Sequence, residues 1–176
     1  MINDRFYIET RETFAFLEEQ FEYLHQQPSI ENANDPRDEK VVVPYLSNNS
    51  GVEIEWYFAS STISVVFIEL QQPYTFPMKR VAIGKRAGAA RVISLNTLAE
   101  MLGFRSNAFF LLGDIDNVMP SKCNRRAKLI QANMQGVLDG LAQATQLYAT
   151  PILNGDTSLF PEVMQYYTQK MKLLYP

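Results

Sequence analysis

The spacing of apolar residues changes period along the chain, and each change marks an element. Phe14, Leu17, Phe21 and Leu24 recur every three or four positions with Glu18, Glu19 and Glu22 off the stripe, predicting a helix over 10–26 that Pro28 closes. Residues 31–39 are polar and acidic and contain Asp35-Pro36, the composition of a loop. The period then drops to two. Val41, Val43 and Tyr45 share one parity of a strand over 40–47, and Pro44, which cannot donate to a ladder, places that strand at a sheet edge. Ser47-Asn48-Asn49-Ser50-Gly51 is a turn. Val52, Ile54, Trp56 and Phe58 next alternate with Glu53, Glu55 and Tyr57, so the apolar face is expected inward and both carboxylates in water. After Ser60-Ser61, Ile63, Val65 and Phe67 keep the parity as far as Glu69. The expectation is a three-stranded antiparallel meander.

Beyond it, Pro73 and Pro77 mark a loop, and Val81–Ile83 with Arg91–Ile93 form a short hairpin across Lys85-Arg86-Ala87-Gly88. Ser94 suits the N-cap of a helix through Leu102 that Gly103 stops. Phe109 to Leu112 reads as buried and 113–120 as turn-rich. Ser121 caps a long helix to about Ala149 with Ile130, Met134, Val137, Leu141 and Tyr148 on its stripe, ended by Pro151 and Asn154-Gly155. A last helix starts near Ser158 with Pro161 in its first turn and Phe160, Val163, Met164, Tyr167, Met171 and Leu174 along one face. With no internal repeat, the order helix, strands, helices defines an α+β fold over 1–176 as a single domain, helices covering the apolar face of the sheet.

Composition narrows the class. A hydrophobic fraction of 47% with 20% charged residues excludes wholesale disorder, and 176 residues can bury a core without metal or disulfide. No run approaches the roughly 18 apolar residues of a membrane span. Met1 to Arg5 lacks the basic start and apolar run of a signal peptide, and the single Cys123 has no disulfide partner, so a cytoplasmic protein is expected. The net charge of −3 is unevenly spread: residues 1–69 carry 13 acidic and 4 basic residues, while 70–130 carry 10 basic and 3 acidic. Such blocks predict an acidic and a basic face, which bears on partners.

No catalytic, metal or cofactor apparatus is legible. Cys123, two positions after the Ser121 cap and beside Lys122, Arg125 and Arg126, sits where a helix N-terminus and cations favour thiolate; a thiol-dependent enzyme or redox-responsive protein is therefore one reading, set against an ordinary structural cysteine. A Cys–His pair would need His25, the only histidine, expected at the end of the first helix, where its charge would complement the dipole. Asp114-Ile115-Asp116-Asn117 supplies too few oxygens for a hard cation and reads as a turn, and one Cys with one His makes no zinc site. Gly84-Lys85-Arg86 lacks the residues of a phosphate loop. The basic segment 79–91, with Tyr74 and Phe76 upstream, offers a nucleic-acid reading, but the pI near 5.2 favours pairing of these cations with the chain's own carboxylates. What remains is recognition of a protein. The acidic excess nominates Glu31, Asp35, Asp38, Glu39, Glu53 and Glu55, with Tyr57 as aromatic anchor, for contact with a basic partner.

The aromatic helix with Phe14, Phe16, Leu17 and Phe21, the strand ending Tyr45-Leu46-Ser47, the strand Val52-Glu53-Ile54-Glu55-Trp56-Tyr57-Phe58, and Ala149-Thr150-Pro151-Ile152-Leu153-Asn154-Gly155-Asp156 leading to Leu159-Phe160-Pro161 together resemble a group of small bacterial immunity-like proteins. That resemblance implies an α+β domain that neutralises a cognate toxin by binding it, with no catalytic residues of its own.

Overall fold

The computed structural model describes residues 2–31, 39–58, 62–71, 80–82, 85–86, 89–104, 128 and 130–175. Its centre is a six-stranded antiparallel sheet built from β1 (Leu24–His25), β2 (Ser29–Glu31), β3 (Lys40–Leu46), β4 (Ser50–Tyr57), β5 (Thr62–Leu70) and β8 (Ala89–Ser94). The spatial order runs β3-β4-β5-β8, with β1 and β2 both paired to the free side of β3. The short strands β6 (Arg80–Ala82) and β7 (Lys85–Arg86) pair only with each other. The predicted meander is present as β3-β4-β5, but the sheet has six strands rather than three. Residues 91–93 also pair differently from expectation, joining β5 instead of 81–83.

The predicted first helix is two helices set earlier in the chain. α1 (Ile2–Thr13) is followed by α2 (Phe16–Phe21), and the chain then enters β1. Phe14 and Phe16 explain the break: both are buried, with ring centroids 5.7 Å apart. Residues two apart on one helix point to different faces, so burying both against the same core requires the helix to reset between them. Phe6, Thr10 and Phe14, at spacings of four, carry the buried face of α1. His25 consequently lies in a strand, not at a helix end.

Pro44 does not place β3 at an edge, because the sheet tolerates it another way. Its carbonyl accepts from the Gln26 amide at 2.8 Å, on the side where β1 has ended and β2 has not begun. In an antiparallel ladder the N and O of one residue face the same neighbour, so the missing N–H falls in that gap and the β3–β4 ladder is undisturbed.

α3 (Leu95–Met101) begins as expected at Ser94, whose hydroxyl accepts from the Thr97 amide, and Gly103 follows in a left-handed conformation, φ +83°. α4 (Met134–Leu153) continues through Pro151 by one further turn before Asn154 and Gly155 end it. α5 (Leu159–Leu174) accepts Pro161 in its first turn, where no intrahelical donor is needed. Of its apolar stripe Phe160 and Val163 are buried, whereas Tyr167 and Leu174 are exposed. Ser121, Cys123, Asp114, Asp116 and the apolar run 109–112 lie outside the described residues.

α1 and the later helices cover the sheet face formed by Val41, Val43, Val52, Ile54, Trp56 and Phe67. Trp56 is sandwiched between Phe6, 5.4 Å away between ring centroids, and Phe58 at 5.0 Å. The opposite face is buried as well. Leu46, Val66, Ile68 and Leu70 form a second, smaller apolar cluster there. A sheet buried on both faces positions everything that follows.

Candidate functional site

The two strand carboxylates expected in solvent are not there. Glu53 is 2% and Glu55 1% exposed, on the far face of the sheet. Glu55 meets Lys40, wholly buried on the same face, whose ammonium also lies 3.2 Å from Glu31. Strand register builds the arrangement: Glu31, Lys40 and Tyr57 are direct cross-strand partners across β2, β3 and β4, and Glu55 is diagonal to Lys40. The Tyr57 hydroxyl donates to Glu55 at 2.9 Å, and the Lys40 ammonium sits 5.1 Å from the centroid of its ring. A buried charge needs paired charge and hydrogen bonds, and this set supplies both. Buried in this way, Glu53 and Glu55 cannot present themselves to a docking partner, which corrects that part of the expected recognition set. Tyr57 is half-buried and committed to the network, as is Glu31; Glu39 is half-buried, and Asp35 and Asp38 lie outside the described residues.

A second polar cluster joins α1, α2, β1 and β3. His25 and Tyr45 are cross-strand partners with ring centroids 5.3 Å apart, and Tyr7 lies over His25 at 5.7 Å. Arg11, one turn after Tyr7, donates to Glu18 on α2 at 3.0 Å and to the Nδ1 atom of His25 at 3.2 Å. A guanidinium has no acceptor, so Nδ1 must be the unprotonated nitrogen and the neutral ring carries its proton on Nε2. Burial, and then the Arg11 charge, push the imidazole below its ordinary value, with Glu18 opposing. Burial likewise raises the Tyr45 phenol, with Arg11 opposing it.

This geometry fixes a sign. A folded-state imidazole with a depressed pKa stays neutral where the unfolded chain, near its ordinary 6.5, already binds a proton. Its contribution is therefore complete above about pH 6.5 and lost as the pH falls through the lower folded value. Denaturant midpoints should drop between about pH 7 and about pH 5, and His25→Gln should flatten that drop. An unchanged slope in His25→Gln would mean that other groups carry the acid sensitivity.

The third feature is a groove of about 820 Å³ at the end of the sheet next to the β3–β4 turn. Its walls come from residues 20–22 at the end of α2, 24 and 26 in and after β1, 46–49 in the turn, and 153–155 at the end of α4. Leu46 and Leu153 are its buried members, and Leu24, 69% exposed, stands at its rim. The walls are tied together. The Asn49 side chain donates to the Gly155 carbonyl at 2.9 Å, and the buried Tyr23 hydroxyl meets the Ser50 hydroxyl at 2.6 Å. Gly155 takes a left-handed φ of +87° where the chain leaves α4.

Eight of the described acidic residues of the N-terminal half fall into two groups. Glu9, Glu18, Glu31, Glu55 and Glu69 are paired with Arg5, Arg11, Lys40, Lys40 and Arg91. Glu12, Glu19 and Glu22 are exposed and have no cation within ion-pair distance among the described residues. Of the basic segment 79–91, Arg91 is spent internally on Glu69 at 2.7 Å. No group of His, Cys, Asp or Glu among the described residues is placed to hold a metal ion, and no described helix is long and apolar enough to cross a membrane.

Fold and site define an α+β domain with an antiparallel sheet and an open groove at one end. Comparison with family models, curated proteins and solved structures returned no significant match for the chain.

Proposed function

We propose that the protein is a binding domain that recognises a basic protein partner, in the immunity-type role its resemblance implies. The observation that carries this reading is the group Glu12, Glu19 and Glu22 on α1 and α2: exposed carboxylates without described cations, in a chain half whose other acids are largely paired. Like charges left unpaired on a small domain repel one another, and a basic partner relieves that repulsion on docking. The acidic surface thus moves from the strand carboxylates to the helices. Of the two other readings, Cys123 lies outside the described residues, and in the basic segment 79–91 Arg91 is engaged with Glu69.

The test is kinetic. The partner captured from the native host should associate about tenfold or more faster at about 20 mM salt than at about 200 mM, because steering is screened beyond roughly 8–10 Å. Reversal of Glu12 and Glu19 to Lys should slow association while leaving stability within about 0.5 kcal/mol. A partner whose on-rate ignores both salt and these reversals would falsify the acidic-surface reading.

A further inference from the structure

Several observations at the groove point to the same chemistry. The first is a helix end. α4 is 20 residues long and its C-terminus, Leu153 to Gly155, forms one wall. Aligned peptide dipoles leave roughly half a negative elementary charge at such an end, which favours a cation. The second is Glu22, on the opposite wall, exposed and without an ion pair or hydrogen bond of its side chain among the described residues. Its backbone is left-handed, φ 57°, the only non-glycine residue so placed among those described. That conformation favours glycine or asparagine at a helix end, so a carboxylate held there is a departure from the local preference, of the kind that accompanies binding sites. The third is composition. Among the described residues no Lys, Arg or His side chain lines the groove, whereas Gln20 and Asn154 contribute carboxamides that make no side-chain hydrogen bond there.

We propose that the groove receives the guanidinium of an arginine carried on an extended segment of the partner protein. The proposal rests on the binding function above and narrows it to one side chain and one place. A guanidinium offers five donors in a planar fork, which suits the Glu22 carboxylate together with carboxamide oxygens better than the point charge of an ammonium does. Phe21 and Leu24 at the rim supply apolar surface for the flat face and the methylene stem. Gln20 and Asn154 remain to pair with the main chain on either side of that arginine, since a carboxamide carries the same donor and acceptor as a peptide group.

The experiment uses the whole chain and a defined probe, acetyl-Gly-Arg-Gly-amide, followed through backbone amide shifts. Saturable shifts are expected at residues 20–22, 48–49 and 154–155. The citrulline analogue, equal in shape but uncharged, should bind at least about tenfold more weakly, the loss expected for a charge-assisted hydrogen bond. Glu22→Gln should weaken the arginine peptide by a similar factor with the remaining spectrum unchanged, and Glu162→Gln, at an exposed position on α5 outside the groove lining, should leave it unaltered. Three results overturn the proposal: no saturable shift at the groove, citrulline binding as well as arginine, or lysine binding as well as arginine. The two levels of the reading fail separately. If a basic partner responds to Glu12 and Glu19 reversal while the arginine peptide leaves the groove untouched, the arginine subsite is wrong and the binding function stands. If the peptide occupies the groove but no basic protein associates, the subsite stands and the proposed function is wrong.

Discussion

Lys40→Ala should lower the free energy of unfolding by about 3–5 kcal/mol, read as a fall in the urea midpoint at unchanged slope. The ammonium is wholly buried and holds Glu31 on one neighbouring strand and Glu55 on the other. Removing it leaves carboxylate charge on a buried sheet face without the cation that faced it, and such a charge is costly because the interior cannot replace the lost hydration. The pair taken as a whole need not be strongly stabilising, since desolvating both ions offsets most of their attraction. Replacing Lys40 by Met together with Glu55 by Leu should therefore recover most of the loss, giving a large coupling energy in a double-mutant cycle. A loss below about 1 kcal/mol for Lys40→Ala would show that the network does not hold β2, β3 and β4 together as described.

Trp56→Ala should cost a comparable amount, about 3–5 kcal/mol, for a different reason. Trp56 is 3% exposed, and Phe6 and Phe58 lie against its ring. Truncation removes apolar area and leaves a cavity between α1 and the sheet that rigid neighbours fill only in part. The same substitution should loosen α1 selectively, visible as faster amide exchange over 6–13 than over β4 and β5. A loss under about 1 kcal/mol would contradict the packing of α1 on this face.

How much of this was legible in the sequence depends on the range of the interactions involved. The meander was legible because period-two alternation is a local signal, and Val52, Ile54 and Trp56 fall on the buried face as read. The Ser94 cap and the Pro161 start were legible for the same reason: each depends on a few adjacent residues. The first helix was misplaced because the stripe Phe14, Leu17, Phe21 continues in register across the break, while the burial of both Phe14 and Phe16 in one core, which forces the break, is tertiary. β8 was assigned the wrong partner because its neighbour β5 is separated from it by a hairpin, and nothing local favours one antiparallel partner over another.

The burial of Glu53 and Glu55 was missed by reading one strand at a time. Alternation within β4 does suggest a wet face, yet Val41-Val42-Val43 and Val65-Val66-Phe67-Ile68 are apolar on both parities, the pattern of a sheet covered on both sides. Lys40 completes the account only once register places it diagonal to Glu55. The groove had no sequence signature, since its walls come from four segments between residues 20 and 155 and meet only through tertiary contacts. The acidic imbalance was sound, but the choice among its carboxylates required knowing which ones find an internal cation.

The two short strands on the free side of β3 have a consequence for the life of the folded chain. β3 contains Val41-Val42-Val43, β-branched and uncharged, and among the described residues its backbone donors and acceptors on that side are met by residues 24–31. If this strip were cleaved or peeled away, the seven-residue strand Lys40–Leu46 would be left with an open ladder, the template on which another chain adds by backbone pairing. The N-terminal segment thus shields the sheet from fibrillar association. Its detachment would be the step that opens this edge to another chain.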